Sequence, residues 1–240
     1  MKKFSLSLFI LILFSALVFF IGWTQFKVKA ENVGVVISKT SGVDENPVEN
    51  GKFSWHWQFL LPTNASLNVF SIKPVNVSKV ITGELPSGSL YTSIFSSQDD
   101  FSYRFNFSLS LTISPEAVVN LVKLNRITDS QDLQEYLERA ADSLAQLSAD
   151  YFLKKASENP DFRPESVRRE DLLRNIRIYE EFPELELSVF ALTDSKIPDY
   201  ELYRKIRTQT LPKAVEDDIK DDIKDNIKDN VERGVENENS

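Results

Sequence analysis

His56 is the only histidine in the chain, set between Trp55 and Trp57, and cysteine is absent altogether. That leaves no Cys–His pair and no clustered metal motif, and the surrounding sequence carries no Ser-His-Asp signature. His56 therefore reads as a structural or surface residue. The seven glycines form neither a phosphate-cradling loop nor a dinucleotide fingerprint. Asp99-Asp100 and Glu180-Glu181 adjoin predicted strands, but adjacent carboxylates point in different directions and read as loop solvation. Asn64-Ala65-Ser66, Asn76-Val77-Ser78 and Asn106-Phe107-Ser108 match the glycosylation sequon, a short pattern that commonly arises by chance. The sequence thus predicts no catalytic residues, no cofactor and no metal.

The element that must organise the chain is Phe101 to Ile113. Phe101, Tyr103, Phe105, Phe107, Leu109, Leu111 and Ile113 alternate strictly with polar residues, which is the period of a strand with one buried face. Fully extended it would run about 43 Å, so it needs antiparallel neighbours and an apolar cover. Ser114, Pro115 and Glu116 then have the order of an N-cap, a first-turn proline and a first-turn acid, opening a helix through Val118, Leu121 and Val122. Between Asp129 and Glu158, Leu133, Tyr136, Leu137, Ala140, Ala141, Leu144, Leu147, Tyr151 and Phe152 keep three- and four-residue spacing. That stripe is the predicted cover for the long strand.

Further strands are predicted over Asn32–Ser38, Leu67–Lys73, Val75–Thr82 and Glu184–Thr193, the last returning to the sheet. Thr40–Asn50 and Glu84–Asp100 read as loops, and Glu165–Tyr179 as a more charged helix. Asp199 is placed to cap a short helix through Tyr203 and Ile206. Phe53, Trp55, Trp57 and Phe59 alternate within Gly51–Pro62, so this stretch reads as a strand with its aromatic residues on one face, of which Trp55, Trp57 and Phe59 are the candidate interaction surface.

At the N-terminus, Lys2 and Lys3 precede an uncharged apolar run from Phe4 to Trp23. Twenty residues of helix span about 30 Å, the thickness of a hydrocarbon core. Phe4, Leu8, Ile12, Leu17, Phe20 and Trp23 are the candidate anchor residues, with Trp23 at the interface. A cleaved signal peptide is the competing reading, since Val28 and Ala30 precede Glu31 in a small-residue pattern. The expected topology is single-pass, with the N-terminus cytoplasmic and the domain extracytoplasmic, hence periplasmic in a bacterium.

The net charge of −8 supplies no basic footprint for nucleic acid. From Ala214 onward a four-residue repeat places Ile219, Ile223, Ile227, Val231 and Val235 at intervals of four. That period drifts about 40° per repeat around a helix and holds no heptad seam. The tail reads as acidic and disordered or weakly helical, or else as a short interaction helix through Ile219, Ile223 and Ile227. The predicted organisation is an anchor over 1–25, an α+β domain with an antiparallel sheet covered by helices over 26–212, and an acidic low-complexity tail over 213–240.

This order of parts resembles the SPFH, or band 7, family of stomatins, prohibitins, flotillins and their bacterial relatives. The anchor leads directly into Asn32-Val33-Gly34-Val35-Val36, and Gly51–Pro62 is similar to the family's aromatic-rich, proline-terminated segment. Ser97-Gln98-Asp99-Asp100, the long strand and Ser114-Pro115-Glu116-Ala117 resemble its polar turn, strand and helix start. The helix from Asp129, the strand Glu184–Thr193 and Ile197-Pro198-Asp199 resemble its closing elements. Asn50 stands where the family usually has proline before glycine, and the short acidic repeat stands where members continue into a long coiled coil. The resemblance implies a non-enzymatic scaffold in the lipid bilayer that forms homo- or hetero-oligomers and organises or modulates membrane proteins such as a protease or channel. The alternative is an extracytoplasmic ligand- or peptide-binding module with an anchor or cleaved signal peptide, its Trp55, Trp57 and Phe59 partly exposed.

Overall fold

The computed structural model describes residues 2–24, 27–95 and 100–208. Within them lie α1 (Lys2–Gly22), β1 (Asn32–Ser38), β2 (Gly42–Val43), β3 (Val48–Glu49), β4 (Ala65–Ser71) and β5 (Val75–Glu84). There follow α2 (Gly88–Phe95), β6 (Ser102–Thr112), α3 (Pro115–Lys123), α4 (Ser130–Glu158), α5 (Arg169–Ile176), α6 (Ile178–Glu181) and β7 (Glu186–Lys196). A last helix, α7, covers residues 200–208. The fold is α+β with antiparallel sheets.

Two sheets form where the sequence predicts one. In the first, β1 pairs antiparallel with β2 and β3 along one edge and with β4 along the other, in a register running from Asn32 opposite Ser71 to Ser38 opposite Ala65. The second has the order β5-β6-β7. Pro74 falls between β4 and β5 and cannot donate to a ladder, so pairing stops there and the chain starts a new sheet.

The described residues divide into two compact units. The first draws on Met1–Val80, Asn106–Tyr151 and Glu165–Thr193. At its centre β1 is buried through Val33, Val35 and Val36, and Val36 clusters with Val28 and Val48 beneath Phe59, Ala65 and Leu67. A Cβ built on Gly34 would lie 2.7 Å from Leu67, 2.9 Å from Val28 and 3.2 Å from Val48, so glycine is what lets those three side chains meet over the strand. The N-cap of α3 forms as its sequence dictates, with the Ala117 N–H donating to Ser114 Oγ at 3.2 Å. Its buried stripe is Ala117, Val118, Val119, Leu121 and Val122. α4 is opened by Asp129, whose carboxylate accepts from the N–H groups of Gln131 and Asp132 at 2.8 and 3.0 Å.

The second unit draws on the described residues of 81–105, 152–164 and 194–208. Its core joins Leu85, Phe101, Tyr203 and Ile206, with Tyr91, Tyr200 and Leu202 around them. The Phe105 and Phe152 rings sit 5.7 Å apart, where the end of α4 lies over the start of β6. Asp199 caps α7 by accepting from Leu202 N–H at 2.9 Å, as its position predicts.

The alternation of β6 is realised: Phe105, Phe107, Leu109 and Leu111 are all buried. Three expectations are corrected. The stripe of α4 runs through Ala145, Ser148 and Ala149 in its second half, leaving Leu147 and Tyr151 half-buried, because a 3.6-residue period carries the buried line past them. Ser148 tolerates burial by donating its hydroxyl to the Leu144 carbonyl at 2.6 Å. The presumed loop Glu84–Asp100 contains α2, which the Ser, Gly and Pro residues around it disguise. The charged helix predicted over Glu165–Tyr179 is split into α5 and α6 by Arg177, which adopts a left-handed φ of 53°.

Candidate membrane-interface site

Gly51–Pro62 departs furthest from expectation. It is not a strand: a turn leads to a single bridge between Trp55 and Trp23, and Trp57–Leu60 is one turn of 3-10 helix. The alternation survives with its sense inverted. His56 and Gln58 are buried, whereas Phe53 is 64%, Trp55 37% and Trp57 49% exposed; Phe59 is half-buried. Aromatic residues turned outward while polar ones turn inward are the reverse of what water selects.

The inward face is held by hydrogen bonds. His56 Nε2 meets Ser54 Oγ at 2.7 Å and its Nδ1 faces Asp44 at 3.3 Å, so both ring nitrogens are engaged. Asn64 donates to the Gln58 carbonyl and to Thr40, each at 3.2 Å, which also occupies the amide of the first sequon. Asp44, His56 and Ser54 stand in the order of a charge relay, a constellation the sequence conceals because ten residues separate Asp44 from Ser54. Here it clamps the turn that carries Trp55 and Trp57.

The outward face is continuous with α1. Thr24 N–H donates to the Ser54 carbonyl at 3.1 Å and His56 N–H to that of Gly22 at 2.8 Å, so the end of the helix pairs antiparallel with this turn. The Trp55 indole N–H donates to the Phe19 carbonyl at 3.1 Å, an oxygen that also accepts from the Trp23 N–H at the same distance. Phe53 stacks on Phe19 with ring centres 6.0 Å apart and lies 6.3 Å from Trp23. Gly22 is required here, because a Cβ would fall 2.4 Å from the Trp55 indole. Lys27 lies over the Phe59 ring at 4.9 Å. Together these contacts place an aromatic collar around the exit of α1.

α1 itself is apolar on every side. Its segment Phe4–Gly22 has a mean hydropathy of 2.8, and within it only Gly22, against the Trp55 indole, is buried. Of the predicted anchor residues, Phe4, Leu8, Ile12, Leu17 and Phe20 are between 47 and 76% exposed, and Trp23 is half-buried against the collar. The helix is long and apolar enough to cross a membrane, a test that a signal sequence also passes. Sequence reasoning missed Phe19, Gly22 and Phe53 as parts of the site. The one signal available was a glycine ending an otherwise bulky apolar run. Ile219, Ile223 and Ile227 lie outside the described residues, as do Ser97, Gln98 and Asp99 of the polar turn.

Among the described residues no group of three or more His, Asp or Glu side chains gathers in a form that would hold a metal ion. Glu180 faces Arg177 at 3.6 Å, and Asp100 is bound by Lys196. No protein-family model matches the chain. It is 27% identical over 185 residues to an uncharacterized protein of Treponema pallidum (strain Nichols), in an alignment covering 76% of this chain and 62% of that protein. The chain therefore spans less than two thirds of the length of that relative.

Proposed function

We propose that this is a single-pass membrane scaffold of the SPFH/band 7 type, which self-associates in the bilayer and organises or modulates membrane proteins such as a protease or channel. The observation that carries the reading is the docking of α1 onto the outward-facing collar of Phe53, Trp55 and Trp57. Aromatic rings beside the end of an apolar helix are suited to the headgroup region, where one side of the ring is apolar and the other wet. In this topology the N-terminus is cytoplasmic and the folded part extracytoplasmic.

Self-association is supported by the second sheet. β5 and β7 are its outer strands, of 10 and 11 residues, and each has an edge without a strand partner among the described residues. Free edges of that length are templates for pairing with another chain. Anchors confined to one plane raise the effective concentration, so modest interfaces suffice. The test is the mass of the full-length protein in mild detergent beside a chain ending at Leu211. A discrete assembly in both assigns the interface to the described residues, and loss on truncation assigns it to the acidic tail. A monomer in both refutes the scaffold reading.

The second reading is an extracytoplasmic binding module released by cleavage after Ala30. It is favoured by the same exposed rings, which become a ligand surface once α1 is gone. Intact mass of the protein recovered from cells separates the two, because cleavage removes the whole anchor.

A further inference from the structure

The first unit also contains a cleft of about 520 Å³ between one face of α4 and the end of α6. Tyr136, Arg139 and Ser143 line it at i, i+3 and i+7 of α4, Arg126 enters from the turn after α3, and Glu181 and Phe182 close it. None of these residues takes part in the anchor or the collar.

The cleft has an excess of donors. Among the described residues neither Arg126 nor Arg139 forms an ion pair, in a chain whose net charge is −8. Arg139 Nε donates to the Glu135 carbonyl at 3.3 Å, which steadies the side chain and leaves the rest of its fork to a ligand. Asp142, also in the lining, is already taken by Lys79 at 2.5 Å. The decisive group is Tyr136. It is 3% exposed, its ring meets Phe182 edge-on at 5.3 Å, and its hydroxyl has no hydrogen-bond partner of acceptable geometry. Burial pushes the phenol above its ordinary pKa, while the charge of Arg126 and a loose contact from its guanidinium to the phenol oxygen pull the other way; Arg126 can only donate, so the phenol proton still has no acceptor. A buried polar group left unpaired is costly, and a ligand acceptor would relieve it.

We infer that this cleft binds a carboxylate-bearing small molecule, with the acid between Arg126 and Arg139, one oxygen accepting from the Tyr136 hydroxyl, and an apolar body against Phe182. Guanidinium forks match a planar carboxylate, in pairs of parallel hydrogen bonds. Glu181 on the rim opposes a second negative charge, so the site favours a monoanion over a phosphate dianion. This site is independent of the scaffold reading.

Sodium benzoate is the probe, titrated calorimetrically into the full-length protein in mild detergent at fixed ionic strength. Benzamide serves as the neutral analogue and phenyl phosphate as the dianion. Saturable benzoate binding is expected, about tenfold tighter than either analogue, each lost charge-assisted hydrogen bond costing roughly that factor. Arg126→Gln and Arg139→Gln should each weaken benzoate about tenfold, while Tyr136→Phe, which keeps the ring packing, weakens it several-fold. Lys154→Gln, at an exposed position of α4 outside the cleft, should leave it unchanged. Absence of saturable benzoate binding, equal or tighter binding of benzamide or phenyl phosphate, or unchanged benzoate binding in both arginine variants would overturn the assignment.

Discussion

Replacing Gly22 with alanine should loosen the turn that carries Phe53 and Trp55 from α1 without unfolding either. The added Cβ falls 2.4 Å from Cε2 and Nε1 of Trp55 and 2.9 Å from Cζ2, distances at which the indole must move. Overpacking of this kind costs about 1–3 kcal/mol. Displacing the indole also removes its hydrogen bond to the Phe19 carbonyl, worth roughly 1 kcal/mol. Alanine returns about 0.5–1 kcal/mol through its better helix propensity. The balance is roughly 1–3 kcal/mol against the docked arrangement, a shift of about 5- to 150-fold in the docked-to-undocked ratio. The assay is acrylamide quenching of tryptophan fluorescence in lipid nanodiscs, in a Trp57→Phe background so that Trp23 and Trp55 report. The variant should show faster quenching, while its far-UV circular dichroism matches the parent. Identical quenching in Gly22→Ala and its parent would refute the claim that this contact couples α1 to the turn.

Gly34→Ala should destabilise the first unit by about 1–3 kcal/mol in urea unfolding, because Leu67, Val28 and Val48 already crowd the position; an unchanged midpoint would contradict that packing. Ser114→Ala removes the N-cap of α3 and should cost about 1 kcal/mol, with Ser114→Asp restoring most of it. Asp100 has its carboxyl held down at about 2 by Lys196 first and then by the hydroxyl and N–H of Ser102. Because the folded value lies below the unfolded one, this contribution is complete above about pH 4 and lost as pH falls toward 2. Asp100→Asn should therefore flatten stability against pH in that window; superimposable acid-unfolding curves would contradict the sign.

Much of the fold was legible because the local signals agreed with the tertiary environment. The alternation from Phe101 to Ile113, the Ser114-Pro115-Glu116 cap and the Asp129 start all became the elements they predict. The failures have physical causes. Phe53, Trp55 and Trp57 were legible as one face but not as an outward face, since periodicity records which residues share a side and not which solvent that side meets. α2 was hidden because Pro86, Ser87 and Gly88 signal a turn, whereas Tyr91 packs 5.8 Å from Tyr203, more than a hundred residues away. The cleft of Arg126, Tyr136 and Arg139 was invisible for a related reason. Tyr136 reads as one member of an apolar stripe, and only the arrival of α6 and Phe182 makes it part of the lining of a cleft.

The central claim is that copies of this chain gather in the plane of a membrane. Stepwise photobleaching of the full-length protein, carrying one fluorophore per chain and imaged in native membrane fragments at low expression, tests it most directly. The account predicts immobile or slowly diffusing spots that bleach in several steps, with fewer steps when proline replaces residues along the outer edge of β5. Spots that bleach in a single step at every expression level would contradict it.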